Sequence, residues 1–129
     1  MTHRFELRVY YEDTDLAGIV YYANYLKFIE RARSEYVREM GLDQVAMKQD
    51  DGVVFAVRRV EADYLAPAKF DDELVVETTT EAMTGARIVF RQEVKRDDQL
   101  LFTALVTIVA INDQGQPERL PATIRRQVH

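Results

Sequence analysis

YYEDTDLAGIVYYANY, residues 10 to 25, separates a short alternating stretch from a long amphipathic one, and its reading decides how the two are joined. It packs carboxylates, a lone glycine and several tyrosines into a polar loop that runs through Gly18 toward the start of a helix. The first free N–H groups of a helix carry a partial positive charge, a natural site for an anionic substrate group or a developing oxyanion. Asp15, in the middle of that loop, therefore stands where chemistry is expected.

Outward from the loop, residues 4 to 10 place Phe5, Leu7 and Val9 on one side of an alternating pattern, a first strand. From about Ala23 to Met40, Leu26, Ile29, Tyr36, Val37 and Met40 recur at helical spacing, while Lys27, Arg31, Glu35 and Arg38 take the other sides. Gly41 is expected to end that helix and Asn24 to cap its start. The polar segment from Asp43 to Gly52 suits a short helix or a loop. Beyond it the chain reads as strand. Val54, Ala56, Val60, Ala62 and Tyr64 form one apolar face opposite Arg59, Glu61 and Asp63, until Pro67 interrupts the ladder. Residues 73 to 82 and 87 to 96 flank a hairpin turn at Met83 to Ala86. Residues 100 to 111 are apolar on both faces, as in a strand that is central or covered on both sides. The tail from Gln116 reads as a turn and at most a short edge segment. The order strand, loop, helix, four strands implies an α+β fold in a single domain, residues 1 to 129, with one long helix on a mostly antiparallel five-stranded sheet.

Composition narrows the chemistry. There is no Cys, a single Ser (Ser34), and two His, His3 and His129, at the ends of the chain. A Cys–His pair is impossible, and a Ser–His–Asp triad would need a terminal His held in register with a helical Ser. An acid or base is thus expected among carboxylates, Tyr or Lys. A net charge of -5, with 17 scattered basic residues, argues against nucleic-acid binding. No apolar run reaches membrane-spanning length and the N-terminus lacks the apolar core of a signal peptide. Together with the lack of Cys this suits a soluble protein of a reducing cytoplasm. No phosphate loop, metal-ligand cluster or dinucleotide fingerprint occurs, so no metal and no cofactor is expected.

Tyr11, Asp13, Thr14, Asp15, Gly18, Ile19, Val20, Tyr21, Tyr22, Asn24 and Tyr25 resemble the Y-x-D-x-D-x-x-G-x-V-x-x-x-x-Y loop of the hotdog-fold 4-hydroxybenzoyl-CoA thioesterase-like family. Glu30-Arg31-Ala32-Arg33 and Tyr64-Leu65-Ala66-Pro67-Ala68 resemble, more narrowly, the bacterial acyl-CoA thioesterases associated with the Tol-Pal envelope system. The likeness spans nearly the whole chain. It implies a hotdog fold, an acyl-CoA substrate, a catalytic Asp15, and a carbonyl-polarising amide at or near Tyr22. It also implies a homo-oligomer, a dimer or a dimer of dimers, with active sites at subunit interfaces. One departure stands out: many Tol-Pal-associated members carry His where this chain has Tyr22, whereas the hydroxybenzoyl branch carries Tyr in some members.

Thioester hydrolysis needs an attacking oxygen, a group to activate it, and donors for the oxyanion. An ionised Asp15 suits a general base toward water or a nucleophile forming an acyl-enzyme anhydride; the competing reading is a helix-capping or Asx-turn carboxylate. Glu12 and Asp13 read as solvated or turn-forming. Gly18 to Tyr22, including Ile19, are expected to shape the oxyanion site, and Tyr25 with Phe28 the acyl pocket. On α-helical geometry Arg33 falls inside the apolar stripe with Glu30 at its edge, so an ion pair, within the helix or across an interface, competes with Glu30 as a second site carboxylate. Ser34 faces away and reads as structural. Arg58, Arg59, Lys69, Arg87 and Arg91 suit either coenzyme A phosphates or solvated strand faces. Two further readings stand beside the thioesterase: a hotdog dehydratase, disfavoured by the missing internal His, and a non-catalytic scaffold for acyl-CoA or acyl carrier protein.

Overall fold

Alternation and helical periodicity produce the expected elements, with limits set by local chemistry. The computed structural model describes residues 2–126, so His129 lies outside the described residues. The elements are β1 (His3–Arg8), α1 (Asn24–Glu39), α2 (Gln44–Asp51), β2 (Val54–Tyr64), β3 (Glu73–Met83), β4 (Arg87–Arg96), β5 (Gln99–Ile111) and α3 (Ala122–Arg126). Gly41 ends α1 as expected: at φ 92° its amide bonds the Arg38 carbonyl while Leu42 N reaches Val37 O. Asp43 starts α2 by accepting from the amides of Val45 and Ala46, and Gly52 closes it in the left-handed conformation.

The five strands form one antiparallel sheet in the order β1-β3-β4-β5-β2, and α1 lies across one face, chiefly over β3 and β1. Phe28, Ile29, Ala32, Tyr36 and Val37 of α1 are buried against Leu74 and Val76 of β3, Phe90 and Val94 of β4, and Phe102 and Val106 of β5. Burial of side chains of this size contributes about 1.5–3 kcal/mol each. This is the α+β architecture read from the sequence, a long helix held by a five-stranded antiparallel sheet. β5 is interior, between β4 and β2, though its outer face is only half-buried.

Four local expectations are corrected. Leu26 is 41% exposed, because the buried stripe of α1 starts from Tyr25 and Phe28 and leaves Leu26 on its flank. Asn24 does not cap α1; it is the first helical residue, and its amide reaches back to the Asp13 carbonyl at 2.9 Å. In β2 the even-numbered apolar residues do not share one face. Arg58 is an extra residue in the ladder, since Val57 pairs with Ile108 and Arg59 with the next residue, Thr107. That bulge reverses the alternation, so Phe55 and Val57 join Val60, Ala62 and Tyr64 on the helix side. This face is largely open, because α1 lies toward the opposite edge. The tail, expected to hold no helix, forms α3, and Leu120 and Ile124 are buried.

Candidate active site

The loop ahead of α1 is a small hairpin tied at several points. A 3-10 turn at Tyr11–Asp13 is closed by the Asp13 carboxylate, which accepts the Tyr10 amide at 2.8 Å, so Asp13 is turn-forming. The Asp13 carbonyl accepts both the Tyr21 amide and the Asn24 side chain, each at 2.9 Å. Thr14 bridges Val20, and between them Asp15 N bonds Ile19 O at 3.0 Å and Gly18 N bonds Asp15 O at 2.9 Å. Gly18 has φ 80° with open space around it, so its value here is the positive dihedral. Its amide is spent inside the turn.

Asp15 is exposed at the tip. One carboxylate oxygen accepts the Ala17 amide at 2.9 Å, an Asx-turn, and the other makes no hydrogen bond among the described residues. The Asx-turn geometry therefore coexists with an oxygen open to a ligand. At the start of α1, neither the Tyr22 nor the Ala23 amide donates a hydrogen bond among the described residues. The Tyr22 carbonyl accepts from the Tyr64 hydroxyl at 3.0 Å. These two amides follow the Asp15 hairpin in the chain and lead directly into α1.

The connection from β2 to β3, residues 65 to 72, buttresses the hairpin. Val20 N bonds Ala68 O at 2.8 Å, Ile19 bridges Lys69, and Ala68 N donates to the Tyr25 hydroxyl at 3.1 Å. Tyr25 and Phe28 are core residues, 3% and 1% exposed, so neither ring lines an open pocket. Burial pushes the Tyr25 phenol above its ordinary value, the Ala68 amide opposing. Tyr25 stacks on Phe102 at 4.9 Å and meets Tyr64 at 5.5 Å, while the exposed Tyr22 ring sits 6.1 Å from Tyr64. The Tyr64-Leu65-Ala66-Pro67-Ala68 motif marks Tyr64 in the sequence but gives no local signal of a partner 42 residues away.

Within the chain, Glu30 and Arg33 do not form an ion pair. Arg33 donates to the Gln92 side-chain carbonyl at 3.0 Å, and the Gln92 amide nitrogen donates to Ile29 O at 2.8 Å and to Thr78 Oγ1 at 3.0 Å. Burial holds the Arg33 guanidinium below its ordinary value, with the charge of nearby Glu30 opposing. Glu30 is exposed and accepts from Ser34 Oγ at 2.8 Å. Glu30, Arg33 and Ser34 rim a cleft of about 250 Å³ between α1 and the sheet, floored by Phe55, Val57 and Phe90. Asp15 of the same chain does not line it. Of the basic candidates, Arg59 pairs with Glu61 and Arg91 with Glu81, whereas Arg58, Lys69 and Arg87 have no acidic partner among the described residues.

This fold and loop define the class. Residues 17–103 match the thioesterase superfamily, and the chain belongs to that family, with its hotdog fold. It is 38% identical over 126 residues to the acyl-CoA thioesterase YbgC of Haemophilus influenzae, covering 97% of this chain and 93% of that one. It is 41% identical over 123 residues to the acyl-CoA thioester hydrolase YbgC of Escherichia coli, covering 94% and 91%. The crystal structure of a probable thioesterase from Bartonella henselae superimposes with a TM-score of 0.90 at 39% identity, covering 94% of this chain and 100% of that one. Among the described residues no helix is long and apolar enough to cross a membrane.

Proposed function

We propose that the chain hydrolyses acyl-CoA thioesters to the free acid and CoA, with Asp15 as general base toward water or as nucleophile. The observation that carries the reading is an open Asp15 oxygen in the loop that enters α1 through two unpartnered amides, those of Tyr22 and Ala23. With Asp15 as base, a water oxygen forms the C–O bond at the carbonyl carbon while its proton passes to the Asp15 carboxylate. With Asp15 as nucleophile, the carboxylate forms that bond and a water later cleaves the anhydride. In either course the Tyr22 and Ala23 amides receive the oxyanion. Collapse breaks the C–S bond, and a thiolate leaves with little help from an acid, which suits a site without one. Gly18 and Ile19 act by shaping the turn, Tyr25 by bracing it, and Glu30 by rimming the acyl cleft. Because Asp15 does not line that cleft in its own chain, the working site combines Asp15 of one copy with the cleft of another in a homo-oligomer.

Thiol release from aliphatic and aromatic acyl-CoAs, and from the same acyl groups on acyl carrier protein, tests the reading with wild type and a folded Asp15→Asn variant. The expected result is turnover of at least one thioester and a loss of about 10²–10⁴-fold in the variant. A variant as fast as wild type removes Asp15 from the chemistry. A wild type that binds acyl-CoA without turnover establishes the scaffold reading instead.

A further inference from the structure

We infer that Tyr64 is a positioning residue for the oxyanion donors, its hydroxyl holding the Tyr22–Ala23 peptide from outside the helix. The inference rests on the reading of Asp15 and the helix-start amides as a thioesterase site. Donors that stabilise a developing charge must be held in place before the reaction, since reorienting them during it would cost the energy they supply. The start of α1 has no side-chain cap, with Ala23 in the capping position, and its own tether, Asn24 to the Asp13 carbonyl, ties it to the hairpin and not to the sheet. An uncapped helix start frays.

The three carbonyls around the free amides are held differently. Tyr21 O accepts from Asn24 N at 2.9 Å and Ala23 O from Leu26 N at 3.1 Å. Both bonds lie inside the first turn and would move with it as a body. Tyr22 O instead accepts from Tyr64 at the far end of β2, 42 residues along the chain. This bond fixes the turn to the sheet. It also acts on the peptide whose N–H belongs to Ala23, and a hydrogen bond accepted at a carbonyl polarises the N–H of the same peptide. Tyr22 shares the fixed carbonyl, so its own N–H is held through one residue.

Tyr64 is suited to the task. Its ring is wedged between Tyr25 at 5.5 Å and Phe102 at 5.0 Å, which sets the direction of the hydroxyl. Burial, with Tyr22 and Tyr25 beside it, pushes its phenol above the ordinary value, so the hydroxyl keeps its proton and donates at neutral pH. A phenylalanine would keep the ring contacts and lose only the bond.

Tyr64→Phe therefore separates positioning from packing. On the best thioester found for the wild type, kcat is expected to fall about tenfold with KM within about twofold, the loss of one preorganised hydrogen bond acting only in the transition state. In ¹⁵N–¹H spectra the Ala23 amide proton moves upfield as its peptide loses polarisation, while resonances of β3 and β4 stay in place. An undiminished kcat, or a loss carried by KM alone, overturns the role. With Asp15→Asn assayed beside it, the two failures are distinct. An active wild type with an equally active Tyr64→Phe overturns this inference alone, whereas a wild type silent on every thioester overturns the thioesterase reading and this role with it.

Discussion

Arg33 and Gln92 show how a buried polar pair pins a helix on a sheet. In cross-strand register His3, Thr78, Gln92, Ala104 and Ala62 form one row of the inner face, and Gln92, fully buried like Thr78, is the member that reaches up to α1. It binds both the Ile29 carbonyl and the Arg33 guanidinium, so α1 has one preferred position along the strand. Removing the amide leaves a desolvated charge without its partner. Gln92→Leu is expected to cost about 3 kcal/mol in urea unfolding, and adding Arg33→Met to recover most of it. If the double variant is as unstable as the single one, the amide is not serving Arg33. Helical spacing shows that Arg33 needs a partner, but it suggests a carboxylate nearby. The actual partner is neutral and lies on a strand 59 residues away, and nothing local in either segment encodes that contact. The site has the same character: the Asp15 turn, Gly18 and the helix-start amides are legible because they are close in sequence, whereas the Tyr64 and Ala68 tethers are not.

At the level of elements, the connection between β2 and β3 carries the hairpin of the site, and Asp72 holds that connection closed. Its carboxylate accepts the Lys69 amide at 2.8 Å and the Arg96 guanidinium at 2.7 Å, while Arg96 also donates to Pro67 O. Burial alone would raise the Asp72 carboxyl, but the Lys69 amide and the Arg96 charge outweigh it and hold the carboxyl below its ordinary value. A carboxyl lowered in the folded state stabilises the fold above its unfolded pKa, and that contribution is lost as pH falls through the folded one. Asp72→Asn should therefore lose about 1 kcal/mol at pH 7, with the gap to wild type closing below about pH 4. Urea midpoints across that range check it, and a gap that persists in acid would refute the assignment. The strand limits of this region follow from alternation and Pro67. The bulge at Arg58 does not, because one extra residue in a ladder is set by the partner strand; nor does α3, whose five residues form by seating Ile124 in the core.

For the whole molecule, the two open edges of the sheet differ in kind. Along β1, Arg4 pairs with Glu77 and Arg8 with Asp71 and Glu73, so that edge is dressed with charge, a common guard against pairing with another chain. Along β2 the helix-side face presents Val57 at 51% exposure, Val60 at 39% and Tyr64 at 48%, followed by Leu65 at 56%. An unpaired edge whose helix-side face carries exposed aliphatic and aromatic side chains, with Arg59 and Glu61 paired on its other face, favours a partner strand. A second copy of the chain seated there is the association we propose, and it would cover the face that α1 leaves open. Val60→Lys places a charge in the middle of that face, where burial without a partner costs several kcal/mol. Light scattering after size exclusion should show the wild type as a dimer or dimer of dimers and Val60→Lys shifted to the monomer, with thioesterase activity lost because Asp15 and the acyl cleft are separated. Arg4→Ala on the charged edge should change neither the mass nor the rate. A Val60→Lys variant that keeps both wild-type mass and activity would place the association elsewhere, and a monomeric wild type with full activity would mean that one chain alone assembles the site.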